Sequence, residues 1–233
     1  MQADAIIVAA GKGERMGAVL PKPFLPLGGI PLLIHTLQAV RRSLLVHRII
    51  LVIAEERESL CREILQTHGL SNASITLVHG GTERQDSVRC GLAALDLESE
   101  IVAIHDAARP FLDPDILDAS IQAAAEHGGA VVAVPARETI KRVTEDGRVT
   151  ETVPRQQLWL AQTPQTFRVP LIREAHARAV AERIIATDDA TLVEWCGKTV
   201  KVVVGSSRNF KITTPDDFYL AEALLTVGTH SRK

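Results

Sequence analysis

Residues 5–27 read AIIVAAGKGERMGAVLPKPFLPL, and this stretch decides the fold. Its apolar run at 6–8 is β-branched, which predicts a strand buried on both faces of a sheet. Glycines at positions 11, 13 and 17 follow this run directly. A glycine-rich loop after a strand lets backbone N–H groups approach a ligand closely, and such loops are typical of phosphate sites.

The same stretch carries two cations that an anionic ligand would need, Arg15 and Lys22. Lys22 lies between two prolines. Because a residue that precedes proline is pushed out of the helical region, we predict that Leu20 and Lys22 are extended. Neither of two common nucleotide loops is present: Met16 occupies the place of the third glycine of the dinucleotide fingerprint, and no Gly-Lys-Ser or Gly-Lys-Thr closes a P-loop.

Length and charge limit the class of protein. A chain of 233 residues can bury a full core, and we predict a single domain over 1–233 with a projecting arm at 137–157. With 26 Lys plus Arg and 28 Asp plus Glu, the formal charge is −2. A dedicated nucleic-acid binder usually has a basic excess, so we expect no nucleic-acid partner and only a local anion site.

The cysteines and the apolar runs predict the compartment. The three cysteines are far apart and in no C-x-x-C pattern, so neither a disulfide framework nor a zinc site is indicated. The first apolar run is shorter than the roughly 7 to 15 residues of a signal-peptide core. No stretch approaches the roughly 20 apolar residues of a membrane span. We therefore expect a soluble cytoplasmic protein without a membrane partner.

Strand-like and helix-like patterns alternate along most of the chain. The predicted strands are 6–8, 48–54, 74–78, 100–105, 129–134 and 200–204. The predicted helices are 31–42, 56–69, 87–95, 115–127, 170–183, one that begins in TDDATLVEWCG at 187–197, and a last one from Pro215. This alternation predicts an α/β fold with a doubly wound, mainly parallel, Rossmann-like sheet.

A second glycine turn follows the third of these strands, in HGGTERQDSV at 79–88. Ligands of open α/β sheets lie beyond the carboxyl ends of the strands, so this turn and the first would line one crevice. A helix that Asp86 or Ser87 caps would explain the same residues equally well.

Asp106 follows a buried strand in HDAARP at 105–110. A carboxylate at this end of a strand can hold Mg²⁺, which takes few protein carboxylates and shares the oxygens of substrate phosphates. An isolated aspartate here would more often cap a loop. Because Arg15 and Lys22 also indicate a phosphate site, we favour the interpretation of Asp106 as a metal ligand. Asp113 and Asp115 match the D-x-D of glycosyltransferases formally, but they open a helix, where acids suit the dipole.

Residues 139–153, TIKRVTEDGRVTETV, alternate around Asp146-Gly147 and predict a protruding β-hairpin with a two-residue turn. In this register the opposing pairs are Glu145 with Arg148, Val143 with Thr150 and Arg142 with Glu151. Because an isolated two-stranded ribbon is marginal in water, the hairpin should lie against something, such as a second copy of the chain.

Several motifs in order resemble one enzyme family. AAGKGERMG and PKPFLPLGG resemble the nucleotidyltransferases that activate phosphorylated alcohols and sugars. With HGGTERQDSV, HDAARP, the hairpin, QTPQ and NFKIT, the resemblance narrows to the 2-C-methyl-D-erythritol 4-phosphate cytidylyltransferases of the non-mevalonate isoprenoid pathway. It spans essentially the whole chain.

The resemblance implies the activity and the roles of particular residues. CTP and methylerythritol phosphate would give 4-diphosphocytidyl-2-C-methyl-D-erythritol and pyrophosphate, with Mg²⁺ held partly by Asp106. Arg15 and Lys22 would stabilise the transition state, and Arg155 and Lys211 would position the acceptor. The residues implied in binding substrate are Ala9, Ala10, Gly11, Gly80, Ser87, Asp106, Ala107, Arg109, Thr139 and Thr163. Family members complete the partner's site with the hairpin arm, so a homodimer is implied.

Three alternatives remain open from the sequence. A sister cytidylyltransferase would act on ribitol 5-phosphate or a related alcohol phosphate, because phosphate-binding cations do not distinguish carbon skeletons. A glycosyltransferase would use a nucleotide sugar. A silent nucleotide-binding module would bind CTP and release no pyrophosphate.

Overall fold

The computed structural model describes residues 2–11, 20–71 and 74–230. The loop that carries Arg15 lies outside these ranges. No helix within them is long and apolar enough to cross a lipid bilayer.

Eleven strands and seven helices make up the described part of the chain, besides two single 3-10 turns. The strands are β1 Ala3–Val8, β2 Pro26–Leu27, β3 Ile30–Pro31, β4 Val46–Ile53, β5 Ile75–His79, β6 Ile101–Asp106, β7 Gly129–Pro135, β8 Ile140–Val143, β9 Val149–Val153, β10 Trp159–Arg168 and β11 Lys201–Val204. The helices are α1 Leu32–Val40, α2 Glu58–Thr67, α3 Arg84–Ala93, α4 Pro114–His127, α5 Val169–Glu182, α6 Asp189–Trp195 and α7 Pro215–His230.

Seven strands form one twisted sheet in the order β11-β7-β10-β6-β1-β4-β5. The chain starts at β1, moves outward through β4 to β5, and then returns to β6 on the opposite side of β1. The direction of winding therefore reverses between β1 and β6, and Val8 pairs with Asp106 at their carboxyl ends. Ligands of open α/β sheets bind beyond such a reversal. The predicted doubly wound, mainly parallel α/β fold is confirmed.

Alternate residues of the central strands bury themselves in two different cores. Ile7 and Leu51 face the core under α1, α2 and α4, whereas Ile6 and Ile50 face the core under α3, α5 and α6. All four side chains are fully buried. A strand covered on both faces is apolar at successive positions, which explains the unbroken apolar run at 5–8 in β1.

β10 is the exception to the parallel sheet, because it runs antiparallel to both β6 and β7. After β7 ends at Pro135, the chain makes the β8–β9 hairpin. It then re-enters the sheet between β7 and β6, at the same end of the sheet at which β7 left it. The strand therefore returns in the opposite direction. It contributes Phe167, which is fully buried and packs closely on Gly129, where a Cβ atom would come 3.0 Å from Phe167 Cδ1.

The hairpin of β8 and β9 forms, but its turn is wider than predicted. Arg142 lies opposite Glu151 as expected, with 2.9 Å between Nε and Oε2. Val143 pairs with Val149 instead of Thr150, because the ladder shifts register between Arg142 and Val143.

At the tip, Thr144 rather than Glu145 faces Arg148, whose carbonyl accepts from the Thr144 N–H at 2.9 Å. The turn is thus a three-residue loop that ends in Gly147 with φ +84°, and this conformation suits the glycine. The predicted two-residue turn and two of its three pairs were wrong.

Asp113 caps α4, accepting from the Asp115 N–H at 3.0 Å. The two aspartates thus cap the helix as predicted. Capping is enough to explain the D-x-D pattern without a glycosyltransferase site.

Leu51 provides a test of the core. Its side chain is fully buried in the middle of β4. We predict that Leu51→Ala lowers the free energy of unfolding by about 2 to 5 kcal/mol, because it removes buried methyl groups and leaves a cavity. Leu97, which is 97% exposed, supplies the matched control, and Leu97→Ala should change stability by less than about 0.5 kcal/mol. Equal urea midpoints for the two variants would contradict this packing.

Candidate active site

A cavity of about 570 Å³ opens at the carboxyl ends of β1 and β6, where the winding of the sheet reverses. Four loops, which follow β1, β5, β6 and β11, form its walls together with the start of α3 and the last residue of β1 and of β6. The lining residues are Val8, Ala9, Ala10, Gly11, Lys22, Pro23, Gly81, Thr82, Glu83, Arg84, Ser87, Asp106, Ala107, Ala108, Lys211 and Thr213.

Asp106, the last residue of β6, is fixed by its own backbone. Its N–H donates to the Thr163 hydroxyl at 3.1 Å, and this hydroxyl lies 3.0 Å from His105 Nδ1. His105 Nε2 lies 3.1 Å from the carbonyl of Arg109 and therefore carries the proton. Burial lowers the pKa of His105 to about 4. The imidazole is thus neutral at physiological pH, and the network holds the end of the strand without adding charge.

The carboxylate of Asp106 is surrounded by cations on both oxygens. Arg84 Nε donates to Oδ1 at 3.0 Å, and Lys211 Nζ lies 2.8 Å from Oδ2. Arg109 Nε is 3.9 Å from Oδ2. Burial by itself would raise the pKa of Asp106, but the attraction of Arg84, Lys211 and Arg109 outweighs it and holds this pKa well below its usual range. The group is therefore an anion at physiological pH.

A second buried carboxylate lies behind the first. Arg84 Nη1 donates to Asp189 Oδ2 at 2.8 Å, and His176 Nε2 is 3.3 Å from Asp189 Oδ1. The Asp189 side chain is only 1% exposed. Burial would raise its pKa, yet Arg84 and His176 together lower it. Alternating charges thus connect Lys211, Asp106, Arg84 and Asp189 from the cavity wall into the core.

Lys211 reaches the site because its loop is fastened on both sides. The Ile212 N–H donates to the carbonyl of Ala108 at 2.9 Å. The Asn209 side-chain amide donates to the carbonyl of Thr163 at 2.8 Å, while the Asn209 backbone carbonyl accepts from Arg109 Nη1 at 2.8 Å. These bonds join the loop after β11 to the loop after β6 and to the middle of β10.

Lys22 lies in a 3-10 turn, Lys22–Phe24, rather than in the extended conformation that its prolines predict. The Phe24 N–H donates to the Pro21 carbonyl at 2.9 Å. Proline is tolerated in the first turn of a helix because the N–H that it lacks would have no partner there. The turn still presents Lys22 at the cavity wall.

The structure brings together most of the residues that the sequence predicts. Those at the cavity wall are Ala9, Ala10, Gly11, Lys22, Ser87, Asp106, Ala107 and Lys211. Gly80 lies behind two of these residues, because a Cβ atom at this position would come 2.6 Å from Ala10 Cβ and 2.7 Å from Ser87 Oγ. Thr163 and Arg109 support Asp106 and do not line the cavity. Arg15 is outside the described residues, so its placement stays a prediction.

Two predicted residues lie apart from this cavity. Thr139 and Arg155 are exposed at the base of the arm. Arg155 Nη1 donates to the carbonyl of Arg137, within the same segment. Neither residue lines the cavity of its own chain, so their predicted contact with substrate would require a second chain.

The donors at the site fit Mg²⁺ only as an ion shared with a substrate. Within residues 2–11, 20–71 and 74–230, no three His, Cys, Asp or Glu side chains cluster as a protein-only cage would require. Asp106 supplies one carboxylate at the cavity. Since Mg²⁺ is commonly held by one or two carboxylates and substrate phosphates, this donor set suits it.

Arg84 and Glu83 are the functional residues that sequence reasoning missed. Glu83 is the N-cap of α3 and forms a capping box with Asp86, whose carboxylate accepts from the Glu83 N–H, so Asp86 takes part in the cap as one predicted alternative had it. Arg84 is the first residue of this helix, where the dipole disfavours a cation. A positive charge in the first turn of a helix signals a buried anion nearby, and this signal could have identified the residue.

The chain matches known proteins over nearly its whole length. A family model described as 2-C-methyl-D-erythritol 4-phosphate cytidylyltransferase matches residues 3–227. The enzyme of that name from Geobacter metallireducens is 49% identical over 97% of this chain and 98% of its own. The one from Pelotomaculum thermopropionicum is 45% identical over 95% of this chain and 93% of its own.

Solved structures agree in fold. The 4-diphosphocytidyl-2C-methyl-D-erythritol synthase of Anaerococcus prevotii superposes with a TM-score of 0.85 at 35% identity, over 97% of this chain and 96% of that one. The 2-C-methyl-D-erythritol 4-phosphate cytidylyltransferase of Thermus thermophilus gives 0.80 at 36% identity, over 97% of this chain and 100% of that one.

The Asp189 ion pair predicts how stability depends on pH. Because the pKa of Asp189 is lower in the folded state than in the unfolded state, the pair stabilises the fold fully above about pH 4 and loses this effect as the pH falls further. Asp189→Asn should cost about 3 kcal/mol at pH 7, since it leaves Arg84 with one buried partner fewer.

The difference in the free energy of unfolding between the wild type and Asp189→Asn should become smaller from pH 5 to pH 3. Urea unfolding at several pH values would measure it. Asp216→Asn, at an exposed position of α7, is the matched control, and its free energy of unfolding should stay close to that of the wild type at every pH. A difference for Asp189→Asn that stays constant with pH would contradict the ion pair.

Proposed function

Because the chain belongs to the 2-C-methyl-D-erythritol 4-phosphate cytidylyltransferase family, we infer that it transfers the cytidylyl group of CTP to the phosphate of 2-C-methyl-D-erythritol 4-phosphate. The products are 4-diphosphocytidyl-2-C-methyl-D-erythritol and pyrophosphate. This is a nucleotidyl transfer that serves isoprenoid precursor synthesis.

The observation that carries this inference is the set of charges at the switch point of the sheet. Asp106 lies beside β1 with Arg84, Lys211 and Arg109 around it, and Lys22 lies at the wall of the same cavity. Such a concentration of cations around one carboxylate suits a site for phosphate groups and a divalent ion.

The site has no need of a protein nucleophile. The attacking group is the phosphate of the acceptor, whose second pKa is about 6, so that it is largely a dianion at neutral pH. The difficulty is that a dianion must approach a polyphosphate. Catalysis therefore consists of aligning two anions and stabilising the charge that develops at the α-phosphate.

We propose that Lys22 and Lys211 perform these two tasks. Lys22 lies in the segment after β1 and Lys211 in the loop after β11, so the two lysines reach the cavity wall from separate parts of the chain. In our proposal Lys22, together with Arg15, stabilises the transition state on the nucleotide. Lys211 and Arg155 position the phosphate of the acceptor.

Backbone groups and one hydroxyl would hold the nucleotide. We propose that Ala9, Ala10 and Gly11 contact the cytidine from the first loop, with Gly80 and Ala107 beside them. Ser87 points its hydroxyl at the same turn, with Oγ 3.2 Å from the Gly81 N–H. Close packing at Gly80 keeps this wall in place.

We propose Mg²⁺ as the cofactor, with Asp106 as its protein ligand. When bound, the ion would neutralise part of the charge on the phosphates. The protein contributes the fixed carboxylate and the lysines around it.

We also propose that the protein works as a homodimer through its arm. Among the residues that the structure describes, β8 and β9 pair only with each other, and Val143 and Val149 are 53% and 60% exposed. Two strands on their own are marginal in water, so a partner surface would stabilise them. The placement of Thr139 and Arg155 away from their own cavity supports contact with the site of the second chain.

We further propose that the enzyme works in the cytoplasm. Cys61, Cys90 and Cys196 are free thiols, which suits a reducing compartment.

Pyrophosphate release tests the function. With CTP and Mg²⁺, the purified chain should release pyrophosphate rapidly when 2-C-methyl-D-erythritol 4-phosphate is added. Ribitol 5-phosphate in its place should react at least about 100-fold more slowly in kcat/KM, since specificity is a ratio of these constants. Equal or faster turnover of ribitol 5-phosphate would assign the chain to the sister activity. No release with any alcohol phosphate would leave only nucleotide binding.

Lys22→Ala should lower kcat by about 100- to 1,000-fold, the usual loss for one electrostatic donor. The KM for CTP should change much less, because we propose that Lys22 acts mainly in the transition state. Lys198→Ala, at an exposed position after α6, is the control and should retain full turnover. Near-normal kcat in Lys22→Ala would remove this lysine from the mechanism.

Mixing two inactive variants tests the shared site. A heterodimer of an Arg155→Ala chain and a Lys22→Ala chain contains one site with both native residues if Arg155 acts on the partner. Randomly mixed dimers should then regain about a quarter of wild-type activity. Verified heterodimers that stay inactive would show that each chain builds its site alone.

A further inference from the structure

Arg84 joins two carboxylates that come from distant parts of the chain. It is the first residue of α3, and its guanidinium lies between Asp106, at the end of β6, and Asp189, at the start of α6. Nε donates to Asp106 Oδ1 at 3.0 Å, and Nη1 donates to Asp189 Oδ2 at 2.8 Å. The helix dipole disfavours a cation at this place, so these two anions are what hold it there.

Each nitrogen of the guanidinium is either engaged by an acid or buried. Nε and Nη1 are engaged by the two acids, and Nη2 is buried and finds no hydrogen-bond partner within the described ranges. The side chain lines the cavity, but its third nitrogen is shielded from it. Arg84 is thus placed to act through Asp106 rather than on a phosphate.

The two oxygens of Asp106 have different kinds of partner. Oδ1 is bound by Arg84, whose own anchor, Asp189, is 1% exposed. Oδ2 is bound by Lys211, whose side chain is 37% exposed. A flexible, solvated ammonium exchanges partners readily, whereas a guanidinium held at two points does not. One oxygen is therefore fixed, and the other is available to the cavity.

The segment that anchors Arg84 is itself tied down. Gln85, the next residue, donates to the carbonyl of Ile184 at 3.1 Å and accepts from the Ala186 N–H at 3.1 Å. Gln165 of β10 donates to Asp188 Oδ2 and accepts from the Ala190 N–H, each at 2.8 Å. These hydrogen bonds hold the backbone on both sides of Asp189, so its carboxylate is a rigid partner for Arg84.

We propose that Arg84 is a positioning residue, which holds Asp106 by Oδ1 so that Oδ2 faces the phosphates and the divalent ion they bring. This inference rests on the proposed function. Partners that orient a metal-binding carboxylate typically contribute about 10- to 100-fold to activity or metal affinity. A purely structural Arg84 would only neutralise buried acids, and its replacement would act independently of Asp106.

A double-mutant cycle separates these two roles. Arg84→Lys keeps the charge but replaces the planar fork with a single ammonium. We expect it to lower kcat about 10- to 100-fold in the wild-type background and less than about twofold in the Asp106→Asn background. CTP affinity measured by calorimetry without metal should stay within about threefold, because the nitrogens of Arg84 are engaged by acids or buried and do not reach the nucleotide.

Arg89→Lys is the matched control, since it lies on the same helix, is exposed, and pairs with Asp86 at 3.3 Å. It should leave kcat unchanged. Circular dichroism and thermal melting check that each variant folds. Should Arg84→Lys not fold, Arg84→Met combined with Asp189→Asn removes both charges together, so no unpaired charge is buried, and the asparagine keeps an acceptor for His176.

Equal losses of kcat from the Arg84 change in both Asp106 backgrounds, or no loss in either, would overturn the proposal. Both of these outcomes would leave the proposed function intact, because the wild type would still release pyrophosphate. A wild type that is inactive with CTP and every acceptor would overturn the proposed function and this inference with it.

Discussion

The burial of one carboxylate, Asp106, at the end of a central strand is the constraint on which the site depends. An unpaired buried charge costs several kcal/mol, so the fold has to bring cations to this point. Arg84 comes from the start of α3, and Lys211 comes from a loop that the chain reaches more than a hundred residues later. The elements that surround the switch point are held in place partly because they compensate this charge.

The same arrangement prepares the site for phosphates. Three cations surround Asp106, and Asp189 balances one of them from behind, so positive charge remains at the cavity before any substrate arrives. Charges that are already in position need no reorganisation during the reaction, which is the main source of electrostatic catalysis. One network thus serves stability and chemistry, and a change in it should affect both.

The sequence predicted what local patterns determine, and it failed where distant contacts decide. The apolar run of β1, the glycine turns and Asp106 at a strand end were recognisable, because strand burial and turn chemistry are local. The 3-10 turn at Lys22, the wide turn at Gly147 and the antiparallel β10 were not, since each depends on a hydrogen bond or a re-entry that one segment does not encode. Arg84 was missed because its role depends on ion pairs with Asp106 and Asp189, which lie far from it in the sequence.

A crystal structure of the protein with CTP and Mg²⁺ tests the central claim most directly, namely that the charges around Asp106 form the site where the phosphates are held. Our account predicts that the triphosphate lies in the cavity at the carboxyl ends of β1 and β6. The ammonium of Lys22 should be within hydrogen-bonding distance of its oxygens, and Arg84 should still hold Asp106. A triphosphate bound elsewhere, with no phosphate oxygen near Lys22 or Asp106, would contradict it.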